Sequence, residues 1–377
     1  MIELPAILLA IVAFVLVIGP LVFVHEGGHY LAGRMFGVKA EEFSIGFGRE
    51  VGGFTDKRGT RWKFGWLPLG GYVRFAGDMN PAGEPSSEWL ALPAEERSKT
   101  FQSKKLWQRA IIVAAGPITN FIVAILILGA FAVVYGQNRT PTVAGSIVEG
   151  SPAAVAGLEA GDRITAIGGR SVHTFRDMIQ YTQLRPDERV TVDFERNGEA
   201  RQIEAVIGTR VERDRFGNEY RIGQLGIGPG EPVQEKVGLL EAPIVGVSTT
   251  MAIMQSMVDG LGQIITGRRP VSEMAGPIRM AGISGQRLMM GPTEFVFLIA
   301  LISINLGFIN LLPIPMLDGG HLLLYAIEAV RRKPVEPEVV EWAFRGGLAA
   351  ILALMLVVTF NDIGSYGVWK NLAGLIG

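Results

Sequence analysis

The stretch that decides the fold runs from residue 5 to residue 29 and reads PAILLAIVAFVLVIGPLVFVHEGGH. Its first twenty residues carry no charge, and a helix of that length crosses about 30 Å of hydrocarbon. A cleaved signal peptide is the alternative. However, Glu3 stands where a basic region is expected, and no small-residue cleavage site precedes His25. We therefore predict a membrane-spanning helix that ends near His25.

The composition of the 377-residue chain is that of a membrane protein. Hydrophobic residues make up 49% and charged residues 19%, with a mean hydropathy of +0.32. The net charge of -1 gives no general attraction to nucleic acid, so we expect no nucleic-acid partner. The absence of cysteine excludes disulfides, thiolate zinc sites and cysteine nucleophiles. A metal would need nitrogen and oxygen ligands, and the chain has four histidines: His25, His29, His173 and His321.

Three further apolar stretches, at about residues 110–135, 294–317 and 344–360, raise the predicted number of spans to four. Lysine and arginine are absent before His25 but frequent between the first two spans. The positive-inside tendency therefore predicts that this loop is cytoplasmic and that the N-terminus lies outside.

Residues 244–265 are a fifth apolar candidate. Their large side chains recur at intervals of three and four residues: Ile244, Val247, Met251, Met254, Val258, Leu261 and Ile265. Polar residues fill the other side, which is typical of a one-sided helix. We expect this helix to lie along the membrane surface or to pack on another helix rather than to span.

The HEGGH sequence at residues 25–29 predicts a metal site. Positions i and i+4 of a helix share a face, so His25 and His29 can bind one Zn²⁺ while Glu26 stands beside a metal-bound water. A chance match is the alternative, but ionisable groups at membrane depth are costly and usually functional. Zinc needs a third ligand, and the third span ends with both Asp318 and His321.

Counting membrane crossings brings the two motifs together. The first span ends on the cytoplasmic side at His25, the second returns, and the third ends on the cytoplasmic side at Asp318. If residues 244–265 formed one more span, Asp318 would face outside. The metal site thus supports the surface-helix interpretation.

Residues 137–229 are charged and rich in turns, and they predict a soluble domain. The sequence SPAAVAGLEAGDRITAIG at residues 151–168 resembles a circularly permuted bacterial PDZ domain, over roughly ninety residues. PDZ domains capture extended peptides by strand addition. A spacer that binds no peptide is the alternative. We interpret His173 as a solvated surface residue.

The motifs together resemble the site-2 proteases, intramembrane zinc metalloproteases, in their bacterial RseP-like branch. They are HEGGH, AAGPITNF at residues 114–121, NLLPIPMLDGGH at 310–321 and SIGFG at 44–48. The resemblance implies one Zn²⁺ per chain, with Asp318 as the third ligand beside His25 and His29, and Glu26 as the general base. It also implies that Asn120 stabilises the oxyanion, although a helix-packing hydrogen bond would explain this residue equally well. His321 remains an alternative third ligand.

Residues 41–75 read as short strands with glycine turns. The resemblance implies a membrane-associated β-element here that pairs with an unwound substrate; a plain cytoplasmic hairpin is the alternative. The residues implied to contact or orient substrate are Gly46, Gly48, Gly70, Gly71, Asn305, Asn310 and Pro313.

The expected fold is a polytopic α-helical membrane protein with four transmembrane helices, a membrane-associated β-element and an inserted PDZ (α+β) domain. The expected segments are 1–36 (first span), 37–104 (β-hairpin region), 105–136 (second span), 137–230 (PDZ domain), 231–292 (amphipathic surface region), 293–318 (third span), 319–342 (cytoplasmic loop) and 343–377 (fourth span and tail).

We expect an endopeptidase of the bacterial inner membrane that makes the second cut in regulated intramembrane proteolysis. Its PDZ domain would be periplasmic and its zinc site near the cytoplasmic side. The expected partners are the lipid bilayer, single-pass substrates such as anti-sigma factors, and an upstream site-1 protease. A zinc transporter and a catalytically silent PDZ adaptor are the alternatives. A transporter would be expected to have more polar residues in its spans, and an adaptor would not need Glu26.

Overall fold

The computed structural model describes residues 4–77, 93–183, 185–213, 219–266 and 275–365. The chain divides into two compact units, one formed by Met1–Ala130 with Leu240–Gly377 and the other by Phe131–Leu239. The tail expected beyond residue 365 lies outside the described residues. Elements are numbered in chain order through both units.

Apolar helices build the first unit. They and their shorter companions are α1 (Leu4–Met35), α2 (Ala94–Arg97), α3 (Leu106–Tyr135), α6 (Ala242–Ile265), α7 (Pro277–Met290), α8 (Pro292–Leu311), α9 (Asp318–Arg331) and α10 (Pro337–Ser365). Within the described ranges, five are long and apolar enough to cross a membrane: α1, α3, α6, α8 and α10. This is one more than the four predicted, because α6 qualifies by length and composition.

The packing of α8 against α1 and α3 forms the centre of this unit. Leu298 and Ile302 of α8 bury Val17 and Leu21 of α1. Further along, the Ser303 hydroxyl donates to the main-chain oxygen of Asn120 at 2.8 Å. Because Gly307 then packs against Pro117, α8 runs antiparallel to α3. The C-terminal end of α8 therefore approaches the HEGGH end of α1.

Helix α6 packs on α3 and α8 with a face that the sequence did not single out. Gly246 lies against the main chain of Ile125, Thr250 is 2% exposed, and Ile253 and Met257 join the buried cluster of α3 and α8. Met254 also packs there. Five other members of the predicted stripe are exposed: Ile244, Val247, Met251, Val258 and Ile265. Most of the large side chains thus point away from the protein, as expected for a helix surrounded by lipid.

Two long strands, β1 (Ala40–Thr55) and β2 (Arg61–Phe75), follow α1 and pair as a bulged antiparallel hairpin. Phe43 lies opposite both Val73 and Trp62, so the hairpin folds back on itself. Phe43 is buried and stacks on Trp62 with a ring-centroid distance of 4.3 Å. Aromatic packing of the hairpin on Tyr30 of α1 fixes it beside the end of that helix.

The second unit has its own hydrophobic core. Its elements are β3 (Gln137–Arg139), β4 (Ala144–Ile147), α4 (Pro152–Ala156), β5 (Arg163–Ile167), β6 (Arg170–Ser171), α5 (Phe175–Gln183), β7 (Arg189–Arg196), β8 (Glu199–Val206), β9 (Gly208–Arg213), β10 (Glu219–Gln224), β11 (Ile227–Pro229) and β12 (Val233–Glu235). The largest sheet has the order β6-β5-β7-β8. Ile164, Val192 and Met178 of α5 are buried in one cluster. This is an α+β fold, as the PDZ resemblance predicts, and His173 is exposed on its surface.

An ion pair joins the residue before β5 to the last residue of β7. Arg196 donates to both carboxylate oxygens of Asp162 at 2.7 Å, and the Glu159 main-chain N–H donates to the same carboxylate at 2.8 Å. Burial acts to raise the pKa of Asp162, but these hydrogen bonds outweigh it and hold that pKa below its usual range.

Candidate metal centre

Three side chains from two distant parts of the sequence converge at the end of α1. His25 and His29 share a face of the helix, as their spacing requires, and their Nε2 atoms lie 3.3 Å apart. Asp318 Oδ2 lies 3.2 Å from Nε2 of His25 and 3.5 Å from Nε2 of His29. The structure thus brings together the two histidines and the aspartate that the motifs suggested.

These three atoms fit a zinc ion. Zinc ligands at about 2.0–2.1 Å in a tetrahedron are about 3.3–3.4 Å from one another, close to the three observed separations. Asp318 Oδ2 is buried and, among the described residues, receives no hydrogen bond. A buried carboxylate oxygen without a donor is costly, and a cation would satisfy it. Three protein ligands also leave a position for water, which is typical of catalytic zinc.

Each imidazole is supported from behind by α3. Nδ1 of His29 lies 2.9 Å from the main-chain oxygen of Ile112, and Nδ1 of His25 lies 3.0 Å from the side-chain amide of Asn120. The main-chain oxygen of Ile112 can only accept, so it keeps a proton on Nδ1 of His29 and fixes the direction of that ring. Both Nε2 atoms face Asp318.

Gly116 of α3 lies directly against the two rings. A Cβ atom added there would be 2.2 Å from Nε2 of His29 and 2.9 Å from Nε2 of His25. Only glycine leaves room for both imidazoles at this point. Sequence reasoning quoted this residue in a motif but assigned it no role, because the collision depends on how closely α1 and α3 approach.

A tight turn before α9 places Asp318 beside the two histidines. The main-chain N–H of Leu317 donates to the oxygen of Ile314 at 3.1 Å, and Met316 within the turn has φ +83°. Left-handed backbone is unusual for methionine, so the surrounding structure must hold it. Asp318 then begins α9. The prolines that interrupt the sequence here, Pro313 and Pro315, separate α8 from α9.

The three ligands open into a cavity of about 740 Å³. Glu26 lines it next to the histidines, as do Tyr72 and Val73 of β2. A Cβ atom added at Gly71 of β2 would lie 3.2 Å from Cγ of Glu26. A strand therefore runs directly past the metal ligands and past the carboxylate between them.

The predicted substrate residues separate into two groups. Asn310 and Gly71 line the cavity, and the Asn310 amide donates to the Leu306 oxygen at 2.9 Å. Five others do not belong to its lining: Asn305, Pro313, Gly46, Gly48 and Gly70. His321 lines the cavity and packs on Phe344 at a centroid distance of 4.9 Å, but it is not part of the three-ligand cluster.

Two groups of charged side chains lie on the elements that line the cavity. Arg109 of α3 pairs with Glu328 of α9 at 3.2 Å and lies over the ring of Tyr325. On β1, hydrogen bonds from Lys63 at 2.8 Å and Tyr72 at 3.0 Å hold the pKa of the Glu42 carboxyl below its ordinary value. Sequence reasoning had identified neither group, because their partners are 21 to 219 residues apart.

Comparison with known proteins agrees with this chemistry. The model of peptidase family M50 matches residues 13–354. The chain belongs to peptidase family M50. This is the site-2 protease family, whose members use zinc, and the chain is therefore a multi-pass membrane zinc metalloprotease.

Individual relatives cover nearly the whole chain. One from Agrobacterium fabrum, whose name describes it as a zinc metalloprotease, is 45% identical over 94% of this chain and 96% of its own length. Metalloprotease MmpA of Caulobacter vibrioides is 37% identical over 98% of both chains. The solved PDZ domain of an SdrC-like protein from Listeria monocytogenes is 21% identical over 25% of this chain and 90% of its own, with a TM-score of 0.19.

Proposed function

We propose that the protein is an intramembrane endopeptidase that cleaves transmembrane segments of single-pass membrane proteins. The observation that carries this proposal is the His25–His29–Asp318 cluster, which opens with Glu26 into a cavity between apolar helices. The substrate class is that of anti-sigma factors already cut by a site-1 protease. Membership of a peptidase family favours this activity over the transporter and adaptor alternatives.

The residues of the site divide the chemistry between them. His25, His29 and Asp318 would hold zinc, which would supply a Lewis acid for the scissile carbonyl and for a water molecule near neutral pH. Glu26 takes the proton of the attacking water and passes it to the leaving amine nitrogen. Glu26 lines the cavity beside Gly71 of β2, so its carboxylate lies where a substrate would enter.

Strand β2 provides a means of holding an unwound substrate. A helical substrate hides its amide groups, and lipid cannot satisfy them once they are exposed. Addition of the substrate to the Gly71–Val73 part of β2 would satisfy them within reach of the metal ligands. Exposed aromatic side chains on the hairpin, Phe47, Phe54, Phe64 and Trp66, support its association with the membrane.

The enzyme would reside in the bacterial inner membrane with its zinc site near the cytoplasmic side. The basic residues between α1 and α3 support that orientation. It follows that residues 137–230 would be periplasmic. There they would restrict entry to substrates that another protease has already shortened.

Deletion of residues 137–229 tests this gating role. The expected result is that the shortened protein cleaves full-length and trimmed substrates at similar rates, whereas the intact protein prefers the trimmed one. An unchanged preference after the deletion would contradict gating. Cleavage of the trimmed substrate by both proteins serves as the control for an intact active site.

The peptidase activity itself is tested with the purified protein in detergent. We expect one zinc per chain in the wild type and in Glu26→Gln, and cleavage of a model transmembrane substrate by the wild type alone. Removal of zinc with a chelator should abolish cleavage, and addition of zinc should restore it. A Glu26→Gln protein that cleaves at the wild-type rate would overturn the assignment of the base.

A further inference from the structure

Asn120 is buried behind one of the histidine ligands and away from the cavity. Its relative exposure is 0%, and its side-chain amide lies 3.0 Å from Nδ1 of His25, whose Nε2 faces Asp318. Asn120 does not belong to the residues that line the cavity. A side chain that stabilises charge on a substrate would have to reach that cavity. The geometry instead connects Asn120 to His25.

The chemistry of His25 determines which amide atom faces it. An imidazole that binds a metal through Nε2 carries its proton on Nδ1, so Nδ1 is a donor and needs an acceptor. The oxygen and nitrogen of an amide exchange places by a half turn, and Oδ1 can therefore occupy the position next to His25. In the orientation with Nδ2 next to His25, Oδ1 is buried and has no hydrogen-bond partner among the described residues. A half turn of the amide therefore breaks no hydrogen bond of Oδ1.

The second histidine provides an internal comparison. Nδ1 of His29 lies 2.9 Å from the main-chain oxygen of Ile112, which can act only as an acceptor. Both imidazoles direct Nε2 toward Asp318, so both should carry their proton on Nδ1. An acceptor behind His29 thus implies an acceptor behind His25, and Asn120 is the group in that position.

We propose that Asn120 is a positioning residue whose Oδ1 accepts a hydrogen bond from Nδ1–H of His25, fixing the tautomer of that ring and directing its Nε2 to the metal. The proposal rests on the zinc peptidase function and differs from the oxyanion role that the family resemblance implies. Ser303 also contacts Asn120, but its hydroxyl donates to the main-chain oxygen at 2.8 Å and not to the side-chain amide.

Asparagine, alanine and aspartate at position 120 distinguish the two roles. Zinc dissociation constants are measured by chelator competition, the visible spectrum is recorded with Co²⁺, and cleavage is measured at saturating zinc. Asn120→Ala should weaken zinc binding about 10–100-fold and change the Co²⁺ spectrum. Asn120→Asp keeps an acceptor behind His25, so it should bind zinc at least as tightly as the wild type and retain cleavage.

Ser303→Ala is the matched control. It removes a buried hydrogen bond to the same asparagine but leaves the side-chain amide in place, so zinc affinity should stay within about twofold of the wild type, well below the effect of losing an outer contact. An equal loss of affinity in Ser303→Ala would overturn the proposal, because it would assign the effect to helix packing.

The oxyanion role predicts a different pattern. Loss of an oxyanion donor lowers kcat about 10²–10³-fold, so Asn120→Ala would bind zinc normally and cleave poorly, and Asn120→Asp would be equally inactive. Either result overturns the positioning role. If Asn120→Asp does not fold, the zinc affinity of Asn120→Ala decides alone. A wild-type protein without zinc would instead overturn the proposed function, and this proposal with it.

Discussion

Gly116 is a residue at which a single methyl group should disturb both metal-binding histidines. Its missing Cβ leaves room for both imidazoles, and an added Cβ would be 2.2 Å from one and 2.9 Å from the other. We expect Gly116→Ala to raise the zinc dissociation constant about 10–100-fold, since outer contacts of metal ligands typically have effects of that size. Chelator competition on the purified protein measures it.

Gly27→Ala is the control for that substitution. Gly27 lies between the two histidines in HEGGH, but an added Cβ there would meet nothing within 4 Å. Alanine there should stabilise the helix by up to about 1 kcal/mol and leave zinc affinity unchanged. Equal zinc affinities in the two variants would contradict a role for Gly116.

Residue roles are predictable from sequence only where one helix turn defines them. The spacing of His25 and His29 places both on one face, and Glu26 follows from the same five residues. Asp318 required a count of membrane crossings to bring it near the histidines, and the resemblance to the site-2 proteases to choose it over His321. The carbonyl of Ile112 carries no sequence signal, because every residue has one.

Helix α10 packs against the turn that precedes Asp318. A Cβ atom at Gly347 would lie 2.7 Å from both Cβ and the main-chain oxygen of Pro315. Main-chain atoms in a tight turn have little freedom to yield. We expect Gly347→Ala to displace the turn, weaken zinc binding about tenfold and lower the cleavage rate at limiting zinc, which chelator competition and a zinc titration of activity measure.

The adjacent glycine, Gly346, provides the control for Gly347→Ala. An added Cβ at Gly346 meets nothing within 4 Å, so Gly346→Ala adds the same methyl group to the same helix on its open side. Zinc affinity should then match the wild type. A tenfold effect in both variants would indicate a general change of α10 rather than contact with Pro315.

Hydrophobic periodicity predicted that α6 is a one-sided helix, but it does not identify the side that packs. Most of the large residues of its stripe are exposed, whereas Gly246 and Thr250 make close contacts. In water, the large apolar face of a helix packs inward. In lipid, helix association depends on close approach through small residues, so the rule reverses.

At the scale of the whole molecule, the inserted unit depends on its own ion pair. Asp162 has a lowered pKa when folded, so its contribution to stability is present above its unfolded pKa of about 4 and is lost as pH falls through the folded value. We expect Asp162→Asn to lower the stability of this unit by about 2 kcal/mol at pH 7 and to reduce its acid sensitivity. Hydrogen exchange of the full-length protein, corrected for the intrinsic effect of pH, measures both.

An exposed pair in the same sheet is the control. Arg189 and Glu204 lie 3.4 Å apart with side chains that are 74% and 66% exposed. Such pairs contribute little because water screens them. Glu204→Gln should therefore leave the exchange rates nearly unchanged, and a loss as large as that of Asp162→Asn would point to overall charge instead.

Counting apolar segments in the sequence could not establish the direction in which α8 crosses the membrane. An extra span at α6 was expected to reverse α8 and carry Asp318 away from the histidines. In the structure, α6 starts beside Gly129 near the far end of α3, and α7 ends at Met290, next to the start of α8. Helix α7 packs along α1, with Gly285 against Ala10 near the start of α1. It therefore returns the chain to the end of the helical unit at which α6 started. The direction of α8 is thus preserved even with a fifth apolar helix.

The contact of Gly129 with the main chain of Ala242 also bears on how such a protein can evolve. The chain leaves the helical unit and re-enters it at neighbouring points, so the intervening residues form a cassette. Loss of that cassette would leave the helices joined by a short link, and its exchange or duplication would change the chain at that one place. The inserted unit and the catalytic helices can therefore diversify at different rates within one gene.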